Sequence, residues 1–242
     1  EHQLNDAGVE TIVIFSGSTG TLAEIIGATK VKNVIVAGPG DGSGAKLPSP
    51  PTDPRLTNVI ALSDALAEGA GLKFDPPALG GEGGLVLQYT GGTTGLSKGA
   101  TLSHRNLIAN VEQFKALMPL ATLPGEETIV TAIPLYHIFA LMVNFLTYFS
   151  VGADNWLVAD PRNMDAFVDV LKAARPSIFM GVNTLYAGLT MHPRIREVDW
   201  SRLKLAGGGG AAVVGTVSER WREITGTFIR EDVFWRQFTI TC

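Results

Sequence analysis

The sequence has almost no cysteine: the single one, Cys242, stands last among 242 residues. No internal disulfide can form, so a reducing compartment is the simple expectation. It has no basic block either, since 19 Lys and Arg are scattered among 23 Asp and Glu for a net charge of −4. Phosphate neutralisation needs clustered cations, so nucleic acid is not expected as a partner. Long apolar runs are missing too. The most apolar stretch, 138–149 (IFALMVNFLTYF), is broken by Asn144 and is far shorter than the roughly 20 residues of a spanning helix. It is read as a buried helix, with contact at a membrane surface as the minority alternative. The start of the chain shows no basic stretch followed by an apolar one, so no secretory leader is expected. The expected location is the cytoplasm, with the inner face of the cell membrane as the place of any peripheral contact. No internal repeat is visible.

What is present is a globular composition, 45% hydrophobic and 17% charged, enough for a substantial core. Short β-branched runs alternate with helical patterns. Strands are expected at 11–15 (TIVIF), 33–37 (NVIVA), 85–89 (LVLQY), 128–133 (TIVTAI), 155–159, 177–180 (SIFM) and 203–206. Helices are expected at 19–26, after an N-cap at Ser103, at 164–174, around Leu185 and Leu189, and along Val213, Val217, Trp221 and Ile224. Leu107, Val111, Phe114 and Leu117 form one apolar helical face. Residues 37–54 are dominated by Gly, Pro and Ser and read as an exposed flexible loop. The alternation predicts an α/β fold, mostly parallel sheet flanked by helices, with ligands beyond the carboxyl ends of strands. Two Gly-rich turns, 91–95 and 207–210, fall at such ends.

The first turn lies in Thr90, Gly91, Gly92, Thr93, Thr94, Gly95, Leu96, Ser97, Lys98, Gly99. Glycines let backbone N–H groups face an anion, threonine hydroxyls add donors, and Lys98 adds charge. A tight hairpin with solvated threonines has the same composition, and both readings stay open on residue types alone. The order is not that of a Walker loop, which requires G-x-x-x-x-G-K-[ST], so a P-loop kinase or GTPase is a weak alternative.

The ten residues 90–99 resemble the signature loop of the adenylate-forming superfamily, with Gly91 where many members have Ser. SKGATLSHRNLIAN (97–110) is similar to that family's continuation into its next helix. PLYHIFAL (134–141) resembles the aromatic-histidine segment of the acyl-CoA ligases, GVNTLYAGL (181–189) their acyl-pocket segment and LAGGGGAAV (205–213) their adenine-contacting turn. EHQLNDAG (1–8) looks like an internal stretch of bacterial long-chain-fatty-acid–CoA ligases. The resemblance implies the AMP-binding part of an N-terminal domain over 1–231.

It also implies a reaction in two steps. A fatty acid carboxylate attacks the α-phosphorus of ATP, and coenzyme A then displaces AMP from the acyl-adenylate. By resemblance, Thr90, Thr93, Thr94 and Lys98, with Gly91, Gly92 and Gly95, hold the nucleotide phosphates. His137 sits beside the carboxylate; residue chemistry alone also allows a core histidine. Gly208, Gly209, Gly210 and Ala211 pass close to adenine, or simply make a tight turn. Gly181, Val182, Thr184 and Leu185, with His137, line the acyl pocket, or serve ordinary helix packing. An apolar pocket gains about 0.8 kcal/mol per buried methylene. The substrates are thus a fatty acid, ATP and coenzyme A, with Mg2+ as cofactor. An aryl- or amino-acid adenylator and a non-catalytic nucleotide-binding remnant are the alternatives. Amino-acid activators usually carry an Asp in the segment matching GVNTLYAGL, which has none.

The resemblance stops after Glu231. In the family the stretch TGTFIRE continues into Gly-Tyr-Gly and then Thr-Glu or Ser-Glu, whose Glu helps to hold magnesium; here it continues Asp232, Val233, Phe234, Trp235. The metal ligands are therefore unknown, 232–242 reads as an unfamiliar tail, and a C-terminal domain with its adenylation lysine is not matched. The 242 residues alone are expected to turn over poorly.

Overall fold

The computed structural model describes residues 1–41, 47–90 and 95–231, with only the backbone of Thr90. The chain forms two compact units, Glu1–Thr101 and Leu102–Cys242.

The first unit runs α1 (His2–Asp6), β1 (Thr11–Phe15), α2 (Thr19–Ile25), β2 (Asn33–Ala37), β3 (Val59–Ala61), α3 (Leu62–Ala70), β4 (Gly84–Thr90) and β5 (Lys98–Ser103), the last crossing the boundary. β1, β2 and β3 pair in that order and all parallel, from Thr11↔Asn33 to Phe15↔Ala37 and from Val34↔Val59 to Val36↔Ala61. Successive strand residues point to opposite faces. Ile12, Ile14, Val34 and Val36 therefore meet Leu22 of α2 and Leu56 in one small core, while Val13 and Phe15 on the other face of β1 are exposed. Residues 38–41 and 47–54 contain no helix or strand. β4 and β5 pair as a two-stranded sheet flanking the 91–97 connection. Gly99 is required there: a Cβ would lie 2.8 Å from the Tyr89 ring.

The second unit runs α4 (His104–Leu117), β6 (Thr128–Thr131), a π-helical segment (Ala140–Thr147), α5 (Tyr148–Ser150), β7 (Asp154–Leu157), α6 (Met164–Ala174), β8 (Ile178–Gly181), α7 (Asn183–Met191), β9 (Leu205–Gly208), α8 (Gly215–Thr225) and β10 (Ile229–Arg230). Five strands pair in the order β10-β9-β8-β6-β7, every pair parallel. Alternation along these strands sorts the core into two. Val130, Phe179 and Ala206 face one side, packed by α6, α7 and α8 with Trp221 at the centre. Ile129, Ile178, Met180 and Leu205 face the other side, with Phe114, Phe139, Val143 and Tyr148. Helices on both faces of a parallel sheet are the expected α/β architecture.

Several expected boundaries move. α4 starts under a capping box, Ser103 Oγ accepting from Asn106 N–H and Asn106 Oδ1 from Ser103 N–H. Leu117 is 56% exposed at its end, and Met118 takes the buried place instead. β6 stops at Thr131, before 132–133. β8 starts at Ile178, and β9 lies at Leu205–Gly208, so two of the four glycines belong to the strand. They enter it because β9 is paired on both sides, with Met180↔Gly207 and Gly181↔Gly208 on one and Gly207↔Arg230 on the other. The 138–149 run is helical and mostly buried, but its middle is π-helical and Phe149 is 72% exposed. Asn144 explains the polar interruption. Its Nδ2 donates to Thr131 Oγ1, Thr131 Oγ1 donates to Asn155 Oδ1, and Asn155 Nδ2 donates to Asn144 O, tying the segment to β6 and β7. Among the described residues no helix is long and apolar enough to cross a membrane.

Candidate functional site

In the first unit the site candidates surround the 90–99 loop. Gly91, Gly92, Thr93 and Thr94 lie outside the described residues, as does the side chain of Thr90, whose backbone ends β4. Gly95 has φ +111°, a conformation that favours glycine, and among the described residues a Cβ there would meet nothing within 4 Å. Lys98 opens β5 and is exposed; among the described residues it makes no ion pair. The flanks of the loop are held by α1. His2 Nε2 hydrogen-bonds Ser97 O at 2.8 Å, and Tyr89 Oη donates to Asp6 Oδ2 at 2.5 Å. The bond to Asp6 raises the Tyr89 phenol above its ordinary value. His2 and Asp6 were invisible as partners in the sequence because 95 and 83 residues separate them from Ser97 and Tyr89.

In the second unit the candidates gather beyond the carboxyl ends of β6, β8 and β9. After β6 the chain turns, His137 N–H donating to Pro134 O at 3.0 Å, and the helix begins. His137 Nδ1 accepts the Phe139 N–H at 3.2 Å. A nitrogen that accepts carries no proton, so the ring proton sits on Nε2, which is left as the donor. His137 is exposed, not a core histidine. It lines an open cleft of about 430 Å3 together with Val182, Thr184 and Leu185, walled also by Ile133, Tyr136 and Met164. Gly181 is not on the wall: it ends β8 with its missing Cβ 3.0 Å from the Tyr186 ring. Tyr186 Oη in turn donates to Gly207 O at 2.9 Å, and burial pushes its phenol well up, so it serves packing. Arg162, at the rim and paired with Asp160 at 3.1 Å, was not singled out from sequence.

The glycine turn divides in two. Gly208 and Gly209 are buried, and the protein itself occupies the space that their side chains would take. A Cβ on Gly208 would lie 2.7 Å from Val213 Cγ2 and 3.1 Å from Ile229 Cγ2, and one on Gly209 would lie 3.0 Å from the Phe139 ring. Gly210, at φ +78°, and Ala211 are exposed and offer their backbone outward. Side chains hold the turn: Val213 N–H donates to Glu231 Oε2 at 3.1 Å and Val214 N–H to Asn183 Oδ1 at 2.9 Å. Asn183 stands inside GVNTLYAGL, but its role depends on a contact 31 residues away. Gly208→Ala is expected to lower stability by about 1–3 kcal/mol through overpacking, read as a lower thermal midpoint; an unchanged midpoint contradicts the packing described.

A family model for the AMP-binding enzymes matches residues 1–234. The chain belongs to the AMP-binding enzyme family. Its sequence is 39% identical over 242 residues to the long-chain-fatty-acid–CoA ligase of Salmonella typhimurium, covering 96% of this chain and 43% of that protein. This family member thus spans about two fifths of the length of such curated relatives. ATP-bound MatB from Rhodopseudomonas palustris superposes with a TM-score of 0.70 at 26% identity, over 94% of this chain and 40% of that one. An anthranilate CoA ligase in complex with anthranoyl-AMP superposes with a TM-score of 0.76 at 18% identity, over 94% of this chain and 41% of that one, a likeness of fold.

Proposed function

We propose that the chain forms the nucleotide- and acyl-binding part of an ATP-dependent fatty acyl-CoA ligase, with a long-chain fatty acid, ATP and coenzyme A as substrates. The observation that carries this reading is the cleft in which His137 presents Nε2–H beside the apolar wall of Val182, Thr184 and Leu185. An alkyl chain gains from such a wall, and its carboxylate needs a donor at one end. In the first step a carboxylate oxygen bonds to the α-phosphorus while the bond to the β-phosphate bridging oxygen breaks, releasing pyrophosphate. Negative charge crowds together there, so preorganised donors dominate. Thr90, Thr93, Thr94 and the glycine amides of the loop, with Lys98, hold the phosphates; His137 Nε2–H holds the carboxylate; the Gly208–Ala211 backbone borders adenine, chiefly at its outward pair. The coenzyme A thiol then attacks the acyl carbon and AMP leaves. A cytoplasmic place, with contact at the inner membrane face, belongs to the same reading.

Magnesium is implied by the family resemblance. Among the described residues no group of three His, Cys, Asp or Glu could hold a metal ion, and this chain offers no magnesium cage there. The decisive experiment grafts residues 1–231 into the Salmonella typhimurium ligase in place of the matching segment. Palmitate-dependent release of AMP and pyrophosphate is the expected result. A folded graft that binds ATP but activates no fatty acid rejects the acyl-ligase reading in favour of a nucleotide-binding remnant.

A further inference from the structure

Resting on the acyl reading of this cleft, the geometry points to Met164 and Gly188 as the pair that sets how long an acyl chain the cleft accepts. Thr184 and Leu185 belong to the first turn of α7 and line the wall. Residues three and four apart share a helix face, so the wall's next position is Gly188, about 6 Å further along the axis. Glycine provides no wall. The space is filled from α6: an added Cβ on Gly188 would lie 2.5 Å from Met164 Cε and 3.6 Å from its Sδ. Met164 itself lines the cleft. A chain anchored by its carboxylate at His137 and running along α7 therefore meets the Met164 thioether.

The packing makes this a movable stop. Inward of Met164 stand Phe167, Val168, Leu171 and Leu189, all nearly fully buried, and a close-packed core leaves no room there. The thioether end is the far tip of an unbranched side chain, which shifts at little cost. A Cβ at Gly188 displaces it toward the cleft, whereas removal of the thioether opens the space above Gly188.

The test is the chain-length profile of the same graft, from octanoate to stearate, with Gly188→Ala, Met164→Ala and the double variant. Gly188→Ala is expected to reduce kcat/KM for the longest acids about tenfold relative to the shortest, the effect of about two displaced methylenes. Met164→Ala shifts the profile toward longer acids, and the double variant relieves the Gly188→Ala defect. Displacement of a fluorescent fatty acid from each variant gives the same order without turnover. An unchanged profile in Gly188→Ala, with the parent graft still active, overturns the role of this pair alone. A parent that neither binds nor activates any acid overturns the acyl reading on which it rests.

Discussion

Lys98→Ala is expected to slow pyrophosphate release by a factor of about 10²–10³, the usual loss when one preorganised charge-stabilising donor is removed. Lys98 is exposed at the start of β5, and no carboxylate among the described residues pairs with it. A lysine with a structural ion pair would change stability when removed; this one has no such partner among the described residues, so its loss is expected to leave the fold intact and weaken what binds the loop. The β4–β5 pairing, the Gly99–Tyr89 contact and the His2 and Asp6 bonds hold the strands that carry it. The effect should appear in the rate of the first step more than in ATP affinity, because charge is greatest as pyrophosphate departs. Lys98→Arg should recover part of the rate, since the charge returns with a different shape. The measurement is pyrophosphate release in the graft at saturating palmitate, beside the thermal midpoint. An unaltered rate rules out a phosphate role for Lys98.

Much of the fold could be read from residue order, for identifiable reasons. β1 and β2 are β-branched runs at their expected places, α6 spans its expected residues, and the Ser103 cap is a local signal that needs no tertiary context. β3 and α3 were not foreseen: β3 has three residues, and no residue of α3 is buried, so neither shows a strong pattern. β5 reads KGATLS, small and polar, and is a strand because β4 lies beside it. The π-helical segment has no sequence signature, because an apolar run satisfies either hydrogen-bond ladder. Of the residues singled out through the resemblance, His137, Val182, Thr184 and Leu185, from two separate segments, line one cleft. The supports were not: Asn183 to Val214, Glu231 to Val213 and Asp6 to Tyr89 are long-range bonds that only the fold brings about.

Glu127→Ala is expected to lower stability by about 3 kcal/mol, toward the low end of the range for a broken buried ion pair, without touching the cleft lined by His137. The Glu127 side chain is fully buried and lies 2.7 Å from Lys204 Nζ, whose side chain is 36% exposed. Ser177 Oγ donates to its other oxygen at 2.5 Å and Leu123 N–H to the first at 3.3 Å. Glu127 precedes β6, Ser177 precedes β8 and Lys204 precedes β9, so one carboxylate pins the amino ends of three neighbouring strands, opposite the site. Its charge, after burial itself, also helps to hold the Tyr148 phenol well above its ordinary value. Alanine removes three polar contacts and leaves the Ser177 hydroxyl buried with one acceptor fewer. Lys204 can reach water, which is why the larger losses known for fully enclosed pairs do not apply. Glu127→Gln retains hydrogen bonding but not charge and should lose less, about 1–2 kcal/mol. At roughly 2–4 °C per kcal/mol for a chain of this size, the alanine variant should melt roughly 6–12 °C lower. Below its melting point, the chain-length profile should be that of the parent, because β6, β8 and β9 still deliver His137, Val182 and Gly210 at their far ends. A variant that melts with the parent would show that the sheet closes at that end without the carboxylate; one that melts normally but changes the profile would place Glu127 in the site.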